Sequence, residues 1–316
     1  MPHSHHSHSG QFCKHASGTL EDVVKEAIRQ GFEIYGLTEH VPRYRVQDLY
    51  PEEQGISLDV LAAQFDHFLD EAHRLKVLYG GNITLLVGLE TELITDTDVT
   101  NLEQCLRKHG KRIEYLVGSV HHVNAIPIDF DTATYRKSLN SFLPNTLDTE
   151  HRRMESFLCS YFDAQFQLMT RFHPEVIGHF DLCRLYDPSL MFQGYPEAWA
   201  KAERNVKYAV GYGALFELNA AALRKSWDSA YPGEDAATLI MQNGGRFALS
   251  DDSHGPHAVG LNYDRMANYA RRLGIKELWT LTPSDEPNAG GRFLRPRKLE
   301  RWDEHDFWRR RGTFGV

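Results

Sequence analysis

Histidines and carboxylates recur at one kind of place in this chain, the ends of short apolar runs. They are His6 and His8 in "HSHHSHSG", Glu39 and His40 in "GLTEH", Glu90 in "VGLETE", and His121 and His122 in "VGSVHH". Further along come His179 and Asp181 in "VIGHFD", Glu217 and Asn219 in "FELN", and Asp252 and His254 in "LSDDSH". Imidazole nitrogens with carboxylate oxygens are a ligand set for zinc, manganese or iron, and one carboxylate can bridge two ions. One or two such groups are ordinary helix caps or core histidines. The same arrangement at seven successive runs points to a multinuclear metal centre. In an extended strand alternate side chains share a face, so a His-x-His pair presents both imidazoles to one ion. The N-terminus offers two such pairs, His3 with His5 and His6 with His8, and spacing alone does not choose between them.

For these groups to meet, the runs must be parallel strands of one sheet. A helix over 19–30 is announced by Thr19 as N-cap, Asp22 three residues on and Gly31 at the C-terminal cap. "FEIYGLTEH" follows as a buried strand, Ser57 caps a long amphipathic helix, and "NITLLVGLE" is the next strand. The alternation continues with a helix near 102–108, strand "IEYLVGSVHH", a helix over about 150–171, strand "EVIGHFD", helix "PEAWAKAERNVKYAVGYG", strand "ALFELN", helix "AATLIMQNGG" and strand "RFALSDD". Repeated β-α units predict parallel strands joined by helical crossovers. Two irregular insertions, "VPRYRVQDLYPEEQG" and "AIPIDFDTATYRKSLNSFLPNTLDTE", follow strand ends, where an α/β barrel carries its functional loops. Beyond Arg295 the charged and aromatic "RWDEHDFWRRRG" reads as an outer helix. No linker separates domains, so residues 1–316 are expected to form one barrel domain with a C-terminal extension from about 290.

Bulk properties narrow the function classes. At 316 residues and 41% hydrophobic the chain can bury a large core. Lys and Arg number 35 against 43 Asp and Glu, a net charge of -8 that opposes binding to a phosphate backbone. There is no membrane-spanning apolar run, and the N-terminus lacks the basic and apolar regions of a secretion signal, which predicts a cytoplasmic protein. Its four cysteines lack C-x-x-C pairing and read as reduced thiols, Cys13 as a small packed residue rather than a ligand. Glu39 and Asp251 read as caps of the following helices, and only one of His121 and His122 should face the metals. Arg184, Arg224 and Lys225 lie close enough to strand ends to hold an anion.

"HSHSGQFCKHA", "LTEH", "GLETE", "GSVHHVNAIPIDFD", "GHFDLCR", "ELNAAALRKS" and "SDDSHGPHAVG", in that order, resemble the PHP (polymerase and histidinol phosphatase) superfamily, and within it the histidinol-phosphatase branch. The resemblance implies a distorted (β/α)7 TIM-like barrel with three divalent ions at its mouth. It selects His6 and His8 over His3 and His5. One ion is then expected on His6, His8, Glu90 and Asp252, a second on Glu90, His121 and His179, and a third on His15, His40 and His254. The implied reaction is hydrolysis of L-histidinol phosphate, with Glu90, Asp252 and Arg184 in the catalytic machinery and Arg184, Arg224 and Lys225 on the phosphate. Glu92, Asp181 or the acidic insertions would receive the substrate's cationic end. Two rival readings are a PHP phosphoesterase acting on another phosphorylated substrate or on nucleic acid, and a non-catalytic metal-buffering protein. The acidic charge and the later strand-end ligands argue against them.

Overall fold

A computed structural model describes residues 1–142, 150–225 and 227–311 of the chain. Seven parallel strands follow one another in the sheet in sequence order: β1 His3–Ser4, β2 Ile34–His40, β3 Thr84–Glu90, β4 Tyr115–Gly118, β5 Val176–Ile177, β6 Leu215–Asn219 and β7 Arg246–Ser250. The His5 N–H donates to the Leu249 carbonyl at 3.2 Å, so the chain leaving β1 meets the end of β7 and the ring closes. Closure is uneven, because the start of β7 pairs instead with β8, Leu278–Pro283, at Phe247. An antiparallel partner, β9 Leu294–Leu299, completes a ribbon. This is the distorted α/β barrel that the sequence predicts.

Side chains alternate between the lumen and the helical layer, as strand geometry requires. Ile34, Leu86, Tyr115, Val117, Val176, Leu215 and Ala248 fill the lumen, joined by Leu281 and Leu294 from the β8–β9 ribbon. The other faces pack against the helices, for example against Leu20, Val23, Val24 and Ala27 of α1, Leu20–Gln30. That helix begins and ends where the sequence says. Thr19 Oγ1 accepts from the Asp22 N–H, Asp22 accepts in return from the Thr19 N–H, and Gly31 takes a left-handed φ of 84°. Such a cap contributes about 1 kcal/mol. Gly36 on β2 is required by close approach, since a Cβ there would lie 2.0 Å from the Tyr115 hydroxyl.

The remaining helices include α2 Leu58–Leu78, α3 Asp96–His109, α5 Glu150–Phe172, α6 Pro196–Tyr212, the short α7 Ala221–Arg224, α8 Glu234–Gln242 and α9 Tyr263–Arg272. Helix α3 starts at Asp96, well before the expected segment, because Asp98 accepts from the Thr95 and Ile94 N–H groups and stabilises the earlier turn. The insertion after β4 carries α4, Thr132–Asn140, and its stretch 143–149 lies outside the described residues. The C-terminal segment differs from expectation: β9 precedes the short outer helix α10, Asp306–Arg310, whose Phe307 and Trp308 are buried with Trp302. No helix among the described residues is long and apolar enough to cross a membrane.

Candidate metal centre

Polar side chains at the carboxyl ends of the barrel strands converge, and Glu90 at the end of β3 is their hub. His6 and His8 present Nε2 atoms 3.1 Å apart, and Glu90 lies 3.2 Å from the first and 3.4 Å from the second. Asp252 stands 3.8 and 3.7 Å from the same two nitrogens. On its other side Glu90 Oε1 is 3.2 Å from His121 Nε2 and 3.1 Å from His179 Nε2, and those nitrogens are 3.2 Å apart. A third group combines His15, His40 and His254 with Cys13, all four ligand atoms within 4.8 Å of one another. His40 Nδ1 ties this group to Glu90 at 2.8 Å.

Three of the inward histidines, His6, His8 and His121, are each backed by a carboxylate on Nδ1. Glu217 accepts from His6 Nδ1 at 3.2 Å and from the His179 N–H at 2.6 Å. Glu39 lies 3.4 Å from His8 Nδ1, and Glu92 lies 3.0 Å from His121 Nδ1. A carboxylate on Nδ1 keeps the proton there and turns the Nε2 lone pair toward the centre, as outer-shell partners do in metal sites. Both Glu39 and Asp251 therefore depart from their expected helix-capping role. Glu39 also takes the Ser9 N–H and hydroxyl, each at 2.8 Å. Asp251 accepts from the Ser4 and Tyr35 hydroxyls and from the Gly260 N–H, which ties β1, β2 and the turn after β7 together. The spacing of these acids gives no hint of their targets. Their one signal is a carboxylate within two residues of a strand-end ligand position.

The electrostatics fit a cation site. Burial disfavours a protonated His6, yet Glu90, Asp252 and Glu217 outweigh it and hold that imidazole well above its ordinary value. Against the same burial, Glu39 and Glu90 raise His8 to about 9. Glu90, though buried, is held well below the usual carboxylate range by His6, His121 and His40. Two pairs of imidazole nitrogens facing each other across a carboxylate are poor hydrogen-bond partners and good ligands. Asp252 sits at a φ of +48°, an uncommon conformation for aspartate, and the two Arg224 NH groups clamp the Asp251 and Asp252 carbonyls at 2.6 Å each.

Above the histidines opens a cavity of about 560 Å³. Arg224 and Lys225, on and just after the short helix that follows β6, line it together with Glu90, His121, His179, Asp252 and His254. Glu52, Asp129 and Asp131, from the insertions after β2 and β4, contribute acidic groups, and Tyr50, Phe130 and Tyr231 contribute rings.

Three expected residues are elsewhere. Arg184 is 2% exposed and does not line the cavity; its guanidinium is committed to Asp181 at 2.6 and 2.9 Å, to Asp235 at 2.6 Å and to the Leu190 carbonyl at 2.7 Å. Flanked by two carboxylates, it has no net positive charge to offer a phosphate, which corrects the catalytic and binding roles expected of it. Asp181 is likewise spent on Arg184 and on the Gly233 N–H at 2.7 Å rather than facing a substrate. Glu92 serves His121, with His122 also 3.2 Å away, so it too is withdrawn from the cavity. His3 and His5 are fully buried below the centre, where His3 Nε2 accepts from the Leu249 N–H and His5 Nε2 from the Leu281 N–H of the ribbon.

A barrel with this histidine and carboxylate set at its mouth defines a class, and the sequence matches the PHP domain over residues 4–221: the chain belongs to the PHP family. It is 46% identical over 292 residues to the protein named "Probable histidinol-phosphatase" of Schizosaccharomyces pombe, covering 92% of each chain. With the histidinol-phosphatase of Saccharomyces cerevisiae it shares 33% identity, covering 84% of this chain and 87% of the relative. The histidinol phosphate phosphatase of Lactococcus lactis, whose crystal structure holds Zn, L-histidinol and phosphate, has the same fold, with a TM-score of 0.61, 18% identity, and coverage of 92% of this chain and 98% of that one.

Proposed function

We propose that this protein is a metal-dependent phosphomonoesterase that hydrolyses L-histidinol phosphate to L-histidinol and phosphate. The observation that carries the reading is the polarity of one cavity: a histidine-carboxylate floor, basic groups from the β6 side, and acidic groups from the β2 and β4 insertions across the mouth. A substrate with a phosphate at one end and an ammonium and imidazole at the other matches it in charge. The histidinol-phosphatases to which the chain is similar over most of its length support the same substrate. The one domain spans the barrel and its ribbon extension.

His6, His8, Glu90 and Asp252 would hold one divalent ion, Glu90, His121 and His179 a second, and His15, His40 and His254 a third. Zinc, manganese or iron bound there supplies an activated water near neutral pH and neutralises charge on the phosphate oxygens. The protein's own groups do the rest. Arg224, anchored through the Asp251 and Asp252 carbonyls, has further N–H groups for a phosphate oxygen, and Lys225 adds a point charge beside it. Asp129 lines the cavity with a buried Oδ1 that has no hydrogen-bond partner, and it is the acceptor placed for the substrate ammonium, with Glu52 and Asp131 reinforcing the charge. Tyr50 and Phe130, with ring centres 4.9 Å apart, cover the histidines and limit bulk water.

A substrate panel tests the reading. The metal-replete protein should turn over L-histidinol phosphate with a kcat/KM far above that for p-nitrophenyl phosphate, and should leave bis-p-nitrophenyl phosphate and single-stranded DNA intact. Preferential cleavage of either diester substrate would overturn it in favour of the nucleic-acid rival.

A further inference from the structure

We infer that Cys13 is the fourth protein ligand of the ion on His15, His40 and His254, making that position a one-thiolate, three-imidazole site for zinc or another thiolate-preferring cation; this rests on the metal reading above.

The chain after His8 turns sharply, with the Phe12 and Cys13 N–H groups both donating to the Ser9 carbonyl at 3.1 and 2.8 Å, and the Ala16 N–H to the Cys13 carbonyl at 3.1 Å. That turn brings Cys13 and His15 to one side. Cys13 Sγ lies 3.2 Å from His15 Nε2 and 3.5 Å from Nδ1. An ion at about 2.3 Å from sulfur and about 2.0–2.1 Å from nitrogen in a tetrahedron separates those ligand atoms by roughly 3.5 Å, so the spacing suits a shared ion. His40 supplies the second indication. Its Nδ1 faces Glu90 at 2.8 Å, while its Nε2 is buried without a hydrogen-bond partner. A buried imidazole nitrogen left without a partner costs free energy that ligation would recover.

Cys13 also lies within reach of His8 and Glu39. Those two are already committed, His8 to Glu39 and Glu39 to the Ser9 N–H and hydroxyl, so the thiol has its open partners on the His15 side. An ion held there would clamp the turn after His8 to the ends of β2 and β7, with His15, His40 and His254 still lining the cavity. Bound there, Cys13 is a thiolate, its proton released to solvent.

The test is cobalt reconstitution of the metal-stripped full chain, followed by near-ultraviolet absorbance, metal analysis and thiol alkylation. Wild-type protein should bind three Co²⁺ per chain, show a thiolate-to-cobalt charge-transfer band as one of the equivalents binds, and protect one more cysteine from iodoacetamide than the metal-free chain does. Cys13→Ser should lose the band and that protection and weaken one equivalent by roughly tenfold or more, while the other two bind normally. Three bound Co²⁺ with no such band, or a band of equal strength in Cys13→Ser, would overturn the inference and leave the three-ion reading intact. No cobalt uptake at all would instead overturn the metal reading, and this one with it.

Discussion

Replacing Glu217 with glutamine keeps the side chain's shape and reverses one of its hydrogen-bonding ends. In the native protein Glu217 is 1% exposed, and its Oε1 accepts from the His179 N–H at 2.6 Å and from Asn219 Nδ2 at 2.7 Å. Two donors on that side fix the glutamine carbonyl there. The NH2 group must then occupy the Oε2 position, 3.2 Å from His6 Nδ1. A donor facing Nδ1 favours the tautomer protonated at Nε2, the nitrogen that points at Glu90 and His8. Ligation then has to displace a proton or turn the ring. A lost charge-assisted hydrogen bond is worth about 1.5–3 kcal/mol, and loss of an outer-shell partner typically weakens metal binding about 10–100-fold, two estimates that agree in size. Glu217→Gln should therefore raise the dissociation constant of one ion by about 10–100-fold in competitive chelator titrations, with much of kcat recovered at saturating metal. Wild-type metal affinity in this variant would refute the idea that Glu217 orients His6.

The two arginines should separate cleanly. Arg184→Met leaves Asp181 and Asp235 buried without a counter-charge and should cost about 3–5 kcal/mol in urea unfolding while kcat/KM per folded molecule is unchanged; a selective rise in KM would restore the phosphate-binding role denied above. Arg224→Ala should lower kcat/KM about 10–100-fold and also weaken one ion, because the carbonyl of Asp252 loses its clamp; normal metal binding would mean the clamp is dispensable. Burial lowers the His3 imidazole to about 3 from 6.5. A depressed folded value means its contribution is complete above 6.5 and declines as pH falls from there toward 3, by up to about 1.4 kcal/mol per unit, as the unfolded chain takes up a proton the folded one refuses. His3→Gln should accordingly lose less stability than wild type between about pH 7.5 and about pH 5, and parallel losses would contradict that account.

Much of the barrel, and the convergence of its strand-end side chains, was legible because both are periodic. Strands alternate with helices, and in a parallel barrel that alone brings His6, Glu90, His179 and Asp252 to one mouth. What the sequence hides is pairing between distant groups. Nothing in "GHFDLCR" says that the arginine will fold back onto Asp181 and meet Asp235, 51 residues on. Nor does "FELN" say that its glutamate faces His6 across 211 residues rather than an ion. The β8–β9 ribbon is equally quiet: "LRPRKL" looks like a surface segment, and only its end residues Leu294 and Leu299 are buried. Yet that ribbon, through the Leu281 N–H on His5, makes a fully buried first strand of histidine and serine possible. Cys13 reads as packing because burial is what isolated cysteines usually show, and its nearness to His15 depends on a turn that residue types do not announce.

The most direct test of the account titrates metal-free protein with Zn²⁺ or Mn²⁺ while bound metal and turnover of L-histidinol phosphate are measured on the same samples. No turnover should occur without metal, turnover should rise as the sites around Glu90 fill, His6→Ala and His179→Ala should respond little at the same metal concentration, and helical circular dichroism should be retained throughout, since the apolar core lies beneath the site. Full turnover by the metal-free protein, or wild-type turnover in both histidine variants, would contradict the metal reading.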